Sequence, residues 1–194
     1  MREMIRLFII VTLFSGISGG LLATVNRATA ERIEHQEMVF VRGPAIEQIL
    51  EGCTNNPLDD RFKLNDGDKD IDFFVGEFDG ERNTVVFESF GKGFEGDIGV
   101  MVAFNVDADQ IEGIGITTHS ETPGVGSRAK TDPSFAAQFK GMSIDSVFRV
   151  KADGGDIDAV TGATYTSRGV SGAVLESVEI YKRLKDQIVQ KIQG

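Results

Sequence analysis

The chain has 194 residues, one cysteine and a formal net charge of −10 at pH 7. Because the first 30 residues carry a net charge of +2, the rest carries −12, which argues against nucleic acid or anionic lipid as a partner. A single cysteine also excludes an intrachain disulfide and a thiolate metal cluster built by this chain alone.

An uncharged stretch of 19 residues runs from Leu7 to Val25, long enough to cross a bilayer as a helix. Arg2 and Arg6 precede it, so the positive-inside rule keeps the N-terminus cytoplasmic and places the rest on the other, periplasmic side. A cleaved signal peptide is the alternative, because residues 28–30 form an acceptable cleavage site, although the apolar run is long for a signal. We therefore predict a single-pass anchor in the inner (cytoplasmic) membrane over residues 1–26 and one extracytoplasmic domain over residues 27–194.

The segment after the anchor is predicted to be helical and then acidic. Residues 30–40 have the pattern of a helix leaving the membrane, and Pro44 opens a second short helix. Residues 55–72 are rich in Asp, Asn and Gly. Their DGDKDID run superficially resembles a calcium loop, yet it lacks the glycine that such a loop requires at its sixth position. We expect a solvated acidic loop here.

Apolar runs separated by turn residues, from Phe73 onward, predict strands. The runs at 73–78 and 84–89 flank an Asp79-Gly80 turn, and those at 98–106 and 110–118 flank a second turn. Pro133 opens a short helix, and VFRV at 147–150 is predicted to be another strand. From Val170 to Ile192, apolar residues recur every three or four positions, as in an amphipathic helix. The predicted fold class is α+β, with an antiparallel sheet and flanking helices.

Small and hydroxyl-bearing residues lie just before and within the start of this last helix. A helix N-terminus offers free N–H groups and the positive end of its dipole to a phosphate, and small residues let a planar ligand approach the main chain. The same pattern is also typical of an ordinary helix cap. The candidate ligand-binding residues of this segment are Thr161, Gly162, Ala163, Thr164, Thr166 and Ser167.

A second candidate segment is the HSETPGVG run at residues 119–126. Its proline and glycines favour turns, and its polar side chains could hold the loop by hydrogen bonds. His and Glu at this spacing are possible metal ligands, but the other histidine lies beside the anchor and no ligand cluster is evident, so we predict no metal site. The candidate residues of this loop are His119, Glu121, Thr122 and Gly124.

Residues 158–164, DAVTGAT, resemble the flavinylation sequence of the FMN-binding domains in the Rnf and Na⁺-pumping quinone reductase complexes. The loop at 119–126 resembles the HxETPGxG segment of those domains, with Val125 where Leu is usual. Residues 93–98 resemble the glycine-aromatic segment that opens their sheet. Two spaced motifs in the right order behind an anchor make the resemblance specific, and it extends from the anchor to the last helix.

The resemblance implies FMN as a covalent cofactor, with its phosphate joined to the hydroxyl of Thr164 by a separate flavin transferase. That enzyme would recognise four residues of the motif: Asp158, Thr161, Gly162 and Ala163. The HSETPGVG loop would lie near the flavin in a packing role. Thr164 would be a tether and not a catalytic nucleophile, because a threonine hydroxyl stays protonated without a neighbouring base. No catalytic residue is predicted.

The implied function is that of an electron carrier, the G subunit of an Rnf-type ion-translocating ferredoxin:NAD⁺ oxidoreductase. The complex as a whole would be the translocase, and the partners would be its polytopic and iron-sulfur subunits. One uncharged helix offers no ion path. Two alternatives remain open. They are the C subunit of a Na⁺-translocating NADH:quinone reductase, which shares the motif, and a non-redox anchored assembly module in which TGAT only caps a helix.

Overall fold

The computed structural model describes residues 1–67 and 69–193, apart from the side chains of Glu31 and Glu34. The chain divides into two compact units, Met1–Phe40 and Val41–Gly194. This division follows internal packing, whereas the boundary at residue 27 marks the expected exit from a membrane and stays a prediction.

The first unit is dominated by helix α1, Arg2–Glu37. Its large apolar side chains, such as those of Leu7, Phe8 and Phe14, are exposed. Within the described residues it is the one helix long and apolar enough to cross a membrane, over Arg2–Ala30, although an N-terminal signal sequence has the same properties. A π-helical turn, Met38–Arg42, follows α1.

The second unit is an antiparallel meander with helices on both faces. Helix α2 spans Gly43–Ile49, and the strands are β1 Arg61–Asp66, β2 Lys69–Phe78, β3 Glu81–Lys92, β4 Asp97–Asn105 and β5 Gln110–Ile116, paired in that order. The helices α3 Arg128–Thr131 and α4 Pro133–Ala137 and a 3-10 turn at Lys151–Asp153 precede the long helix α5, Thr164–Gln193. The predicted α+β class is confirmed.

The main core lies between α5 and one face of the sheet. Phe87 stacks on Phe104 at 5.6 Å between ring centroids, and Phe104 stacks on Tyr181 of α5 at 4.6 Å. Helix α2 lies on the opposite face. There a Cβ atom at Gly76 would be 3.0 Å from the Leu50 side chain that follows α2. The sheet is therefore buried on both sides, and its strands read as nearly continuous apolar runs.

Two predictions of local structure were wrong. The expected acidic loop at 55–72 contains β1 and the start of β2, because Phe62 and Leu64 alternate with charged residues that face solvent. The expected strand at 147–150 is an irregular segment: it forms one isolated bridge, Val150 to Ile157. Its alternation is real, with Phe148 and Val150 buried and Val147 half exposed, but its backbone bonds locally.

Candidate functional site

The candidate attachment residue, Thr164, is the first residue of α5. Gly162 precedes it with a φ of +82°, a left-handed conformation that a glycine adopts without strain. The helical ladder begins when the N–H of Ser167 donates to the carbonyl of Ala163 at 2.9 Å. The N–H groups of residues 164–166 therefore precede the ladder, and they form the positive end of a 30-residue helix.

The aliphatic hydroxyl groups of this segment have different surroundings. Thr166 is buried and donates to Oε2 of Glu121. Ser167 Oγ is also buried, and it donates to the Ala163 carbonyl at 3.0 Å. Thr161 is exposed, and its carbonyl accepts from Arg128 at 3.2 Å. Thr164 is half-buried, and its hydroxyl has no hydrogen-bond partner among the described residues. The Thr164 hydroxyl therefore differs from those of Thr166 and Ser167, which are already engaged in hydrogen bonds inside the protein.

The carboxylate of Glu121 joins three segments of the site. Its Oε2 accepts from the Thr166 hydroxyl, and its Oε1 accepts from the backbone N–H of Glu95 at 3.0 Å. Burial raises the pKa of Glu121, but hydrogen bonds from Thr166 and from the backbone of Glu95 and Phe94, together with the charge of His119, outweigh this and hold the pKa below its ordinary value. Glu121 is thus an anion at neutral pH.

Glycines leave the space that this arrangement needs. A Cβ atom at Gly126 would lie 2.7 Å from Glu121 Oε2 and 2.9 Å from Thr166 Oγ1, and one at Gly93 would meet Glu121 Oε1. One to two turns into α5, a Cβ atom at Gly169 would be 2.7 Å from the carbonyl of Lys92. The end of β3 and the start of α5 can approach this closely only without side chains.

The other candidates of the HSETPGVG loop have separate surroundings. Thr122 donates to Oε1 of Glu95, and Gly124, at a φ of +73°, donates its N–H to Ser127 Oγ at 2.9 Å. His119 is half-buried, and its Nδ1 is fully buried without a hydrogen-bond partner among the described residues. The structure therefore brings Glu121 to the start of α5 and leaves Thr122 and Gly124 in exposed turns.

Two hydrogen bonds between its backbone and the side chain of Gln138 hold Asp158 in place. Its N–H donates to Gln138 Oε1 at 2.7 Å, and its carbonyl accepts from Gln138 Nε2 at 3.1 Å. Its side chain is exposed and pairs with Lys151 at 2.7 Å. A carboxylate turned toward solvent in this way does not repel a phosphate at the start of α5.

Sequence reasoning missed an aromatic and cationic group beside Thr164. Tyr165 and Phe94 are 62% and 70% exposed, with ring centroids 5.9 Å apart. Arg168 lies over the Tyr165 ring at 5.3 Å and pairs with Asp153 at 2.6 Å. The sequence signal that could have revealed this group is Tyr165, an aromatic residue at the start of the last helix. The group offers apolar surface and positive charge.

A cavity of about 520 Å³ lies away from these residues. Pairing between β2 and β3 begins at Phe74 and Val86, so the two strands separate beyond this point. Ile71, Phe90 and Gly172 are among the residues that line the opening. None of the predicted site residues lines it, and the candidate site is a surface built at the start of α5.

Comparison with known proteins shows the family to which this domain belongs. Residues 93–179, which include Glu121 and Thr164, match the FMN-binding domain family. The G subunit of the proton-translocating ferredoxin:NAD(+) oxidoreductase complex of Clostridium ljungdahlii is 31% identical, over 87% of this chain and 86% of that protein. This chain belongs to the G-subunit family of ion-translocating oxidoreductase complexes.

A second G subunit is similar to this chain, and a solved structure shares its fold. The G subunit of the ion-translocating oxidoreductase complex of Pseudomonas aeruginosa is 29% identical, over 97% of this chain and 93% of that protein. In structure, the chain resembles the C subunit of the Na(+)-translocating NADH-quinone reductase from Parabacteroides distasonis. The TM-score is 0.57 at 24% identity, over 72% of this chain and 89% of that one. That likeness shows the fold alone.

Proposed function

We propose that this chain is a membrane-anchored electron carrier of an Rnf-type complex and that it holds FMN as a phosphoester on Thr164. The observation that supports it best is the position of Thr164. Within the matched FMN-binding domain, its half-buried hydroxyl is unbonded among the described residues and stands at the start of a long helix. That end of the helix favours a phosphate.

The residues around Thr164 fit the rest of FMN. The guanidinium groups of Arg128 and Arg168 are on this side of the domain, where the helix dipole also favours negative charge. The exposed rings of Phe94 and Tyr165 provide apolar surface for a planar ring system. When bound, FMN supplies the one- and two-electron chemistry, and the protein sets its position and surroundings.

Attachment to Thr164 requires another enzyme and an activated donor. The Thr164 hydroxyl loses its proton to a base of the flavin transferase, and its oxygen forms a bond to the FMN phosphorus. The bond that breaks is the phosphoanhydride of an activated flavin dinucleotide, which releases a nucleoside monophosphate. Asp158, Thr161, Gly162 and Ala163 are the proposed recognition residues. Asp158, Thr161 and Gly162 are exposed and accessible to such an enzyme, whereas Ala163 is buried.

Replacing the proposed tether tests this function directly. We expect Thr164→Val to abolish covalent flavin, because it removes the oxygen that forms the phosphoester. Thr161→Val removes a proposed recognition hydroxyl and should reduce labelling without abolishing it, whereas Thr131→Val, at an exposed position outside the motif, should leave labelling unchanged. The chain is made together with a flavin transferase, denatured on a gel, and examined for flavin fluorescence and mass. A wild-type chain without flavin, or a labelled Thr164→Val chain, would refute the proposal.

We also propose on which side of the membrane the domain lies and between which subunits it carries electrons. The domain would lie on the periplasmic side, behind a retained anchor, and would pass electrons between the iron-sulfur and polytopic subunits of the complex. The alternative as the C subunit of a Na⁺-translocating NADH:quinone reductase is supported here only by likeness of fold. The assembly-module alternative predicts a colourless chain, so the fluorescence experiment also tests it.

A further inference from the structure

Three segments meet at the buried carboxylate of Glu121. They are the glycine segment 93–96, the loop 119–126, and the first turn of α5. The Glu121 side chain uses one oxygen for the backbone of Glu95 and the other for the hydroxyl of Thr166. Because this side chain is also buried, it is not placed to contact a flavin on the surface directly. It acts through the segments that it connects.

The protein leaves no room around the Glu121 carboxylate for further side-chain atoms. Glu121 is 5% exposed and Thr166 is 4% exposed. Side chains at Gly93 or Gly126 would collide with the carboxylate oxygens. A buried charge normally costs free energy, so a buried anion with dedicated donors and dedicated space indicates a role for the charge itself.

The charge lies close to the proposed tether. Thr166, which donates to Glu121, is two residues after Thr164 on the same helical turn. A full helical turn rises about 5.4 Å, so both residues belong to the first turn of α5, with Thr166 and Glu121 on its buried side and Thr164 on a more exposed side. Glu121 is buried although the site beside it is open to solvent, and charges near a protein surface still interact more strongly than charges in bulk water. A fixed anion there disfavours adding an electron to the flavin.

We propose that Glu121 is a positioning residue that braces the start of α5 and that its fixed negative charge lowers the reduction potential of the flavin held on Thr164. This inference rests on the proposed function. The effect of the hydrogen bonds made by Glu121 can be separated from the effect of its charge, because a glutamine amide has the same shape as the carboxylate and no charge. Its oxygen can accept from the N–H of Glu95, while its nitrogen donates to the Thr166 hydroxyl.

The experiment compares full-length chains that have been loaded with flavin by a transferase. Glu121→Gln should fold, carry as much covalent flavin as the wild type, and show a more positive reduction potential in a spectroelectrochemical titration. Glu121→Asp keeps the charge and should stay closer to the wild type. Glu112→Gln is the matched control. Glu112 is likewise a hydrogen-bonded carboxylate, which accepts from Asn105, but it is only half-buried and lies at the far end of the sheet, so this variant should leave the flavin potential unchanged.

The potentials of these variants either support or overturn the proposed role of the Glu121 charge. A positive shift with Gln that is absent with Asp and in the control supports it. An unchanged potential in Glu121→Gln overturns it, and so does an equal shift in both Glu121 variants, because geometry would then be the cause. A Glu121→Gln chain that does not fold also overturns it, since the amide was expected to keep the brace. A wild-type chain without flavin would instead refute the proposed function.

Discussion

Four aliphatic hydroxyl groups lie within residues 161–167, and burial makes them chemically different. Thr166 and Ser167 are buried and bonded, whereas Thr161 is exposed and Thr164 is half-buried at the start of the helix. A modifying enzyme needs an accessible hydroxyl that is free to lose its proton. At the scale of single residues, the structure therefore narrows the candidate tethers to Thr161 and Thr164, which the valine variants separate.

Asp109 is a second residue whose charge is fixed by its contacts. It accepts from the hydroxyl of Tyr181 at 3.0 Å and from Lys185 at 2.6 Å. The hydrogen bond from Lys185 outweighs partial burial and lowers the pKa of Asp109. Burial and the hydrogen bond to Asp109 raise the pKa of Tyr181. A carboxyl with a depressed folded pKa stabilises the fold above its unfolded pKa, and this contribution is lost as the pH falls through the folded value.

We expect Asp109→Asn to lower the free energy of unfolding at pH 7 by about 1 kcal/mol, the typical net value of a hydrogen bond. Asparagine tolerates the φ of +52° at this position, so backbone strain does not enter. Urea titrations at neutral pH and below about pH 3 measure the effect, with the exposed Asp107→Asn as control. The deficit should shrink in acid, where the wild-type carboxyl is protonated as well. A deficit that is the same at both pH values would contradict the ionic explanation.

At the scale of helices and strands, the sequence predicts those elements whose apolar residues form a clear local pattern. The strands β2 to β5 were found because apolar runs flank turn residues. Helix α5 was found because its apolar residues recur every three or four positions, and it buries Val170, Tyr181 and Ile188 as that spacing requires. Strand β1 was missed because an edge strand with Lys63 and Asp66 beside Leu64 has the composition of a loop. The bond from Thr166 to Glu121 spans 45 residues of chain, and no local pattern predicts such a contact.

The close approach of β3 to α5 gives a prediction for the packing of these elements. Gly169→Ala would place a Cβ atom 2.7 Å from the carbonyl of Lys92 and 3.0 Å from the backbone nitrogen of Gly93. Because these are backbone atoms, the helix must shift, and we expect a loss of about 1–3 kcal/mol, as for an overpacked core.

The matched control is Gly172→Ala, three residues along the same helix. This glycine is exposed, and a Cβ atom there has nothing within 4 Å. Alanine is the better helix former by about 0.5–1 kcal/mol, so this variant should gain stability. Guanidinium unfolding of both flavin-free chains gives the comparison. Equal stabilities for the two variants would mean that β3 and α5 are not in close contact.

At the scale of the whole molecule, the chain combines an apolar helix with an acidic domain that contains the complete candidate site. The core and every site contact described above lie within Val41–Gly194. In the proposed function, a retained anchor would set the side of the membrane from which an electron partner reaches Thr164.

The side can be tested with single cysteines in intact spheroplasts. The one native cysteine, half-buried Cys53, is first replaced by serine. Glu81→Cys then places a thiol at an exposed position in the domain, and Glu3→Cys places one before the apolar segment. An impermeant thiol reagent should label Glu81→Cys in intact cells, because the domain is expected on the periplasmic side, and should label Glu3→Cys only after lysis. A chain that loses its first residues would never be labelled at position 3, which distinguishes a cleaved signal peptide from a retained anchor. Labelling of Glu81→Cys only after lysis would place the domain, and the flavin, in the cytoplasm.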